Sequence, residues 1–182
     1  MENLWAPWRM EFICTLREES GCFLCETAEC AATATDPSIE LRASQAEKDR
    51  KCFVVHRGKR CFAMLNRYPY SNGHLLIAPY EHQGDLEKLP DETLLELMTV
   101  VRDAKRTLAA TCSPDGFNIG ANLGKDAGAG VADHLHLHIV PRWRGDTNFM
   151  PIIADTKVIP QALGELCERL RSQWKASPPE RG

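Results

Sequence analysis

The chain has 182 residues, 43% hydrophobic and 26% charged, with a formal net charge of −3. That length suits one domain with a proper core, and the charge supplies no global field for nucleic acid or an anionic membrane, so any anion site has to be local. Met1–Trp5 has neither a basic nor an apolar leader region, and no apolar run approaches the roughly 20 residues of a membrane span, so a soluble cytoplasmic protein is expected.

In chain order, Leu4–Ile13 is too aromatic for a disordered tail and is expected to dock on the body or on a second subunit. Cys22-Phe23-Leu24-Cys25 has the spacing of half a zinc site or of a redox pair, although no βαβ context surrounds it. Eight cysteines without a leader argue against an extracellular disulfide framework. Cys14, Cys52, Cys61, Cys112 and Cys167 sit among apolar neighbours and read as buried small hydrophobes. From about Glu26 to Lys51 the composition turns polar, and we expect an excursion from the core, either a mobile loop or one carrying a short helix near Ile39–Glu47.

Strands are expected at Cys52–His56 and Arg60–Asn66, joined by a turn at Arg57-Gly58-Lys59, and at Gly73–Pro79 after the turn-rich Tyr68–Asn72. Leu94, Leu97, Met98, Val101, Ala104 and Leu108 keep the helical period over Asp91–Cys112. Phe117–Asn122 is a fourth strand. A last helix covers about Pro160–Trp174, with Leu163, Leu166, Leu170 and Trp174 on one stripe. Strands with short turns, one long helix between them and another at the end indicate an α+β fold, an antiparallel sheet with helices on one side.

The fifth strand candidate, Asp133–Pro141, carries half of the chain's six histidines. His134, His136 and His138 alternate with Leu135, Leu137 and Ile139, so the rings are expected on one face and the aliphatic groups in the core, with Pro141 ending the strand. Three readings are open: a half-buried strand, a metal site, or nucleophilic catalysis. One ion held by all three is disfavoured, since residues four apart on a strand lie roughly 13 Å apart. Two neighbours could share a metal, and the third reading is nucleophilic catalysis, with the middle ring attacking and its neighbours positioning charge. The preceding Gly120–Gly130 stretch has four glycines in eleven residues, freeing backbone N–H groups to face an anion. It is not a P-loop, since it lacks one intervening residue and the Ser/Thr after Lys125. Alone it reads as a flexible loop; leading into the histidines, it reads as a phosphate cradle.

His134-Leu-His136-Leu-His138-Ile-Val resembles the signature of the histidine-triad (HIT) family. Asn66–Pro79 is similar to that family's upstream strand–turn–strand. The Trp-Ala-Pro-Trp-Arg-Met opening and Pro141–Phe149 are similar to its diadenosine tetraphosphate phosphorylase branch. The resemblance implies one HIT domain over residues 1–182, with an N-terminal segment 1–25 and a polar insertion at about 26–51. It implies a homodimer whose five-stranded sheets join and which cleaves a nucleotide at its α-phosphorus.

By match to the motif, His136 would be the nucleophile and His138 would contact phosphoryl oxygens, helped by Asn122 and the backbone of Gly128, Ala129, Gly130 and Val131. Asn66 falls where the family binds ribose, and its other reading is a strand-end turn residue. The base would lie near Phe12, Met64 and Leu65, with Tyr68 or Tyr70 as walls, and His74 would be a structural histidine. Gly130 departs from the many members that have a side-chain donor there, so a backbone N–H or water has to substitute.

Relatives that include galactose-1-phosphate uridylyltransferases hold zinc at positions matching Cys22, Cys25, His82 and His134. This implies a closed, structural Zn2+ site, with reduced thiols and a free His134 as the alternative. His134 thus stands in both the catalytic and the metal set. The implied reaction is diadenosine tetraphosphate plus phosphate giving ATP and ADP, without an organic cofactor. Water as acceptor, giving AMP and ATP, is the alternative, as is a phosphoramidate or sulfate-ester substrate. A nucleotide-binding module without turnover is the reading from another class.

Overall fold

The computed structural model describes residues 21–32, 39–146 and 161–176. The aromatic opening, with Phe12 and Cys14, and Thr147–Phe149 of the motif after the histidines lie outside the described residues.

Five antiparallel strands form one sheet: β1 Val54–Arg57, β2 Cys61–Leu65, β3 Leu75–Pro79, β4 Gly116–Ala121 and β5 Leu137–Arg142. Their order is β1-β2-β3-β5-β4, so the histidine strand lies inside the sheet and β4 forms one edge. All five side chains of β2 are buried, as are all five of β3. Cys61, Ala63, Leu65, Leu75 and Ile77 face one way, into a core shared with helices α3 (Asp91–Cys112) and α4 (Leu163–Ala176). Phe62, Met64, Leu76 and Ala78 face the other way and pack with Leu24 and Ala28 of helix α1 (Phe23–Ala32). Strands covered on both faces lose the polar alternation of a half-exposed sheet, and β2 and β3 accordingly read as continuous apolar runs.

The excursion expected at 26–51 is corrected in part. Its start belongs to α1, whose Leu24 and Ala28, four residues apart, share one buried face. The short helix expected near Ile39–Glu47 is longer and forms α2, Ile39–Lys51. Arg57 fastens both helices to β1. Its guanidinium donates to the Asp49 carboxylate at 2.8 Å and to the Thr27 carbonyl at 2.9 Å. Phe53 has φ +55, turning the chain sharply out of α2, so β1 starts two residues later than the expected Cys52.

The helix expected at Asp91–Cys112 is found with those bounds, Asp91 and Glu92 complementing its positive N-terminal end and Ser113 closing it at φ 47. Met98 departs from the expected stripe, being 57% exposed, while Val100 is buried instead. In α4, Leu166 and Leu170 are fully buried and Leu163 and Trp174 partly so. Among the cysteines read as core, Cys61 and Cys167 are buried, whereas Cys52 and Cys112 are half-buried.

Two further corrections concern the histidine strand. Its ladder begins at Leu137, so His134 and His136 precede β5 rather than lie on it. Pro141 does not end the strand, which continues to Arg142 with Pro141 opposite Phe117. Proline is tolerated there because β3 pairs with β5 only from Leu137 to Ile139, leaving one side of Pro141 without a ladder partner. Among the described residues no helix is long and apolar enough to cross a membrane.

Candidate active site

His138 sits on β5 opposite Leu76 of β3 and Gly120 of β4, on the sheet face that also carries Met64. Its Nδ1 lies 2.9 Å from Nε2 of the fully buried His74. On the far side of that ring, His74 Nδ1 accepts the backbone N–H of Tyr70 at 3.1 Å, with the Asn66 amide nitrogen 3.3 Å away. A backbone N–H only donates, so a neutral His74 carries its proton on Nε2 and donates it to His138 Nδ1. A neutral His138 then carries its own proton on Nε2. Backbone geometry at Tyr70 thus sets a tautomer two rings away.

His136 receives the opposite setting. Its Nδ1 is 2.9 Å from the carbonyl oxygen of His134. A carbonyl only accepts, so Nδ1 holds the proton and Nε2 keeps its lone pair. Burial pushes the His136 imidazole below its ordinary pKa, favouring the neutral ring, against the smaller opposing effect of the bond to His134. The His136 and His138 rings are 5.0 Å apart and steeply tilted. A nucleophilic nitrogen and a proton donor therefore stand side by side, as attack on a phosphoryl group and stabilisation of its oxygens require.

The third ring is turned elsewhere. His134 Nε2 donates to the Pro79 carbonyl at 2.9 Å, so Nδ1 presents its lone pair to Cys22 Sγ at 3.3 Å and Cys25 Sγ at 3.5 Å. His82 Nδ1 is 3.0 Å from Cys25 Sγ. One ligand atom from each of these four residues lies within 4.8 Å of all the others. Tetrahedral zinc ligands with nitrogen and sulfur bonds sit roughly 3.3–3.8 Å apart, so two thiolates and two imidazoles in this arrangement fit that ion with little movement. Burial and then Cys22 push the Cys25 thiol up to about 11, a balance that a bound divalent ion would reverse. The cluster joins the start of α1, the segment after β3 and the entry to β5. The expected alternation continues through His134: Leu135 and Ile139 are buried with α3 and α4 and Leu137 packs against that core, while His134 meets Cys22 and Cys25 on the α1 side of the sheet, the side that carries His138.

Asn66 follows β2, where its Oδ1 accepts the Tyr68 N–H at 3.0 Å, the geometry of a turn residue, beside the His74–His138 pair. Asn122 donates from its amide to the Gly128 carbonyl at 3.2 Å, closing the glycine loop across its mouth. Gly124 (φ +83) and Gly128 (φ +82) adopt backbone conformations that disfavour any side chain. Ala129, Gly130 and Val131 continue this loop toward His134. Tyr70 lies with its ring 4.7 Å from His74 and 6.0 Å from His138, whereas Tyr68 is half exposed. Met64 lies on the histidine face. Leu65 is a correction: its side chain points to the opposite face, fully buried with α3 and α4, and cannot touch a base on the histidine side. Two functional groups escape sequence reading altogether, the Tyr70 N–H and the Pro79 carbonyl, because backbone groups leave no mark in residue identity.

The profile of the HIT domain family matches residues 47–145. The chain belongs to the HIT domain family. Over 178 residues it is 38% identical to the AP-4-A phosphorylase of Mycobacterium tuberculosis, covering 98% of this chain and 87% of that protein. The asymmetrical bis(5'-nucleosyl)-tetraphosphatase of Schizosaccharomyces pombe is 36% identical over 93 residues, 51% of this chain and 50% of that one. Among solved structures, a Zn-bound histidine triad family protein from Mycobacterium smegmatis superposes with a TM-score of 0.57 at 28% identity, covering 69% of this chain and 85% of that one.

Proposed function

We propose that this HIT-domain protein is a nucleotidyltransferase that cleaves diadenosine tetraphosphate with inorganic phosphate, giving ATP and ADP. The observation that carries the reading is the His136 Nε2 lone pair beside the His138 Nε2–H, in a chain alike over nearly its whole length to an AP-4-A phosphorylase. In the first half-reaction His136 Nε2 bonds to the α-phosphorus of one adenylyl group, and the bond from that phosphorus to the bridging oxygen breaks, releasing ATP. His138 donates to a phosphoryl oxygen as charge builds there, and N–H groups of Gly128–Val131 and the Asn122 amide hold the others. In the second half-reaction a phosphate oxygen takes the adenylyl group from His136, giving ADP and restoring the imidazole. Asn66 serves the ribose, and Met64 with Tyr70 borders the base.

Cys22, Cys25, His82 and His134 would hold a structural Zn2+, fixing the His134 backbone whose carbonyl orients His136. In this reading His134 is a metal ligand and takes no part in proton transfer. The whole chain acts as one domain in the cytoplasm, where thiols stay reduced. Two copies pair through the outer strand β4, whose Asn118, Ile119 and Gly120 are exposed, extending the sheet.

Incubation with diadenosine tetraphosphate, with and without phosphate, followed by separation of nucleotides tests the reaction. ADP and ATP are expected only with phosphate. AMP and ATP in its absence would make water the acceptor, the reading that the fission-yeast tetraphosphatase favours. Absence of cleavage under both conditions would leave a binding module. His136→Ala should lose about 10³-fold or more of the activity while still folding and binding nucleotide.

A further inference from the structure

Along the histidine segment the two ends of the site differ. Asn66 and His74 lie at the His138 end, while the Pro79 carbonyl and Gln83 lie at the His134 end, where the Leu135 N–H donates to the Gln83 carbonyl at 2.8 Å. Beyond His134 the segment after β3 and the loop after β4 border an open groove of about 560 Å³. The backbones at its base are in close contact: a Cβ at Gly84 would collide with the Ala132 carbonyl and crowd Asp133. Each of the two segments contributes one exposed leucine, Leu86 at 42% and Leu123 at 51% exposure. Carboxylates of Glu87 and Asp133 also line it, and Lys88 is neutralised by Asp85 at 3.2 Å.

We propose that this groove is the subsite for the second nucleoside of a dinucleoside polyphosphate, the one that leaves still attached to the phosphates. This rests on the reaction proposed above. The volume falls in the roughly 300–1,000 Å³ range of small-molecule sites. Two leucines suit the faces of a flat base, and the carboxylates accept hydrogen bonds from an exocyclic amine or ribose hydroxyls. The same carboxylates repel phosphate, so the groove takes the nucleoside and the polyphosphate stays over the glycine loop. Gly124, the first glycine after Asn122 in that loop, also lines the groove, making phosphate cradle and groove contiguous. A nucleoside at each end, rather than the length of the phosphate chain, is then what the site selects.

The test compares equilibrium binding of a methylene-bridged, non-cleavable diadenosine tetraphosphate with that of adenosine tetraphosphate. Wild-type protein is expected to favour the dinucleoside by roughly ten-fold. In the double variant Leu86→Ser, Leu123→Ser, which alters two exposed side chains, that ratio should fall to about one. Wild-type protein without a preference, or a preference that survives in the variant, overturns the subsite. So does a variant whose sedimentation reports a lost dimer while the ratio stays unchanged, since the groove would then be a contact between copies. Loss of the ratio in the variant, together with no cleavage of diadenosine tetraphosphate by the wild type, would support the subsite and overturn the transferase reading alone.

Discussion

Three histidines from one short stretch are set in three different ways because each ring nitrogen meets a different backbone or side-chain partner. The decisive distances are all near 2.9 Å: His134 Nε2 to the Pro79 carbonyl, His136 Nδ1 to the His134 carbonyl, and His138 Nδ1 to His74 Nε2. His74, read from sequence as structural, is therefore a positioning residue for His138. His74→Ala should lower kcat by about 10² while leaving KM within a few-fold, because the lost interaction belongs to the transition state. His74→Gln, which keeps an N–H to offer His138, should recover part of the loss; an equal fall in nucleotide affinity would mean a merely structural role. His56, stacked 4.6 Å from the Trp174 ring, titrates for a different reason. Burial lowers its pKa below 6.5, against the raising effects of the Asp103 and Glu96 carboxylates. A histidine depressed in the folded state is protonated more readily in the unfolded chain, so its contribution is complete above pH 6.5 and declines as the pH falls below it. Urea midpoints of wild type and His56→Gln, measured between pH 7.5 and about 5, should therefore converge or cross toward acid; a constant gap would contradict the assignment.

At the scale of elements, the cysteine–histidine cluster explains why α1 belongs to the site although it contributes no residue to phosphoryl chemistry. It joins the start of α1 to the segment after β3 and the entry to β5. A metal there couples folding of the N-terminal helix to the setting of the catalytic backbone. Cys22→Ser should therefore lose bound zinc, lower Tm by several degrees and expose α1 to limited proteolysis, with activity falling less than in His136→Ala. Zinc analysis of purified wild-type protein that finds no metal would remove this account. Arg57 fixes the same helix by a second route, through the Thr27 carbonyl and Asp49, and both side chains of that ion pair are largely buried. Partly buried pairs of this kind are sensitive to loss of one partner, because the other charge is left without compensation.

For the molecule as a whole, the two edges of the sheet are treated differently. At β1 the Val54 carbonyl accepts from the Arg171 guanidinium and the Cys167 thiol of α4, so this edge is covered from within the chain. At β4, exposed Ile119 and the neighbouring backbone have no such cover from the described helices. An open strand edge is a template for pairing, and a second copy is the occupant we propose. Ile119→Lys should shift sedimentation toward a single chain; a mass unchanged from wild type would place the interface elsewhere.

How far the sequence reached follows from which forces are local. The 3.6-residue period fixed α3 from Asp91 to Cys112, turn residues bounded the first strands, and alternation singled out His134, His136 and His138. Composition misled at the start of the 26–51 stretch, because α1 begins before it, at Phe23, and buries Leu24, Thr27 and Ala28 across that boundary. Leu65 was assigned to the base because strand neighbours alternate faces and the motif alone does not say which face carries the ligand. The sequence by itself determined that three histidines alternating with aliphatic residues follow directly on a glycine-rich stretch. Only the tertiary structure decided which nitrogen of each ring carries the proton and that His134 faces two thiols. The physical reason is that Pro79, Cys22 and Cys25, the partners of His134, and His74, the partner of His138, lie 55 to 112 residues away in the chain, while the bond from His136 to the His134 carbonyl depends on how the backbone bends between them.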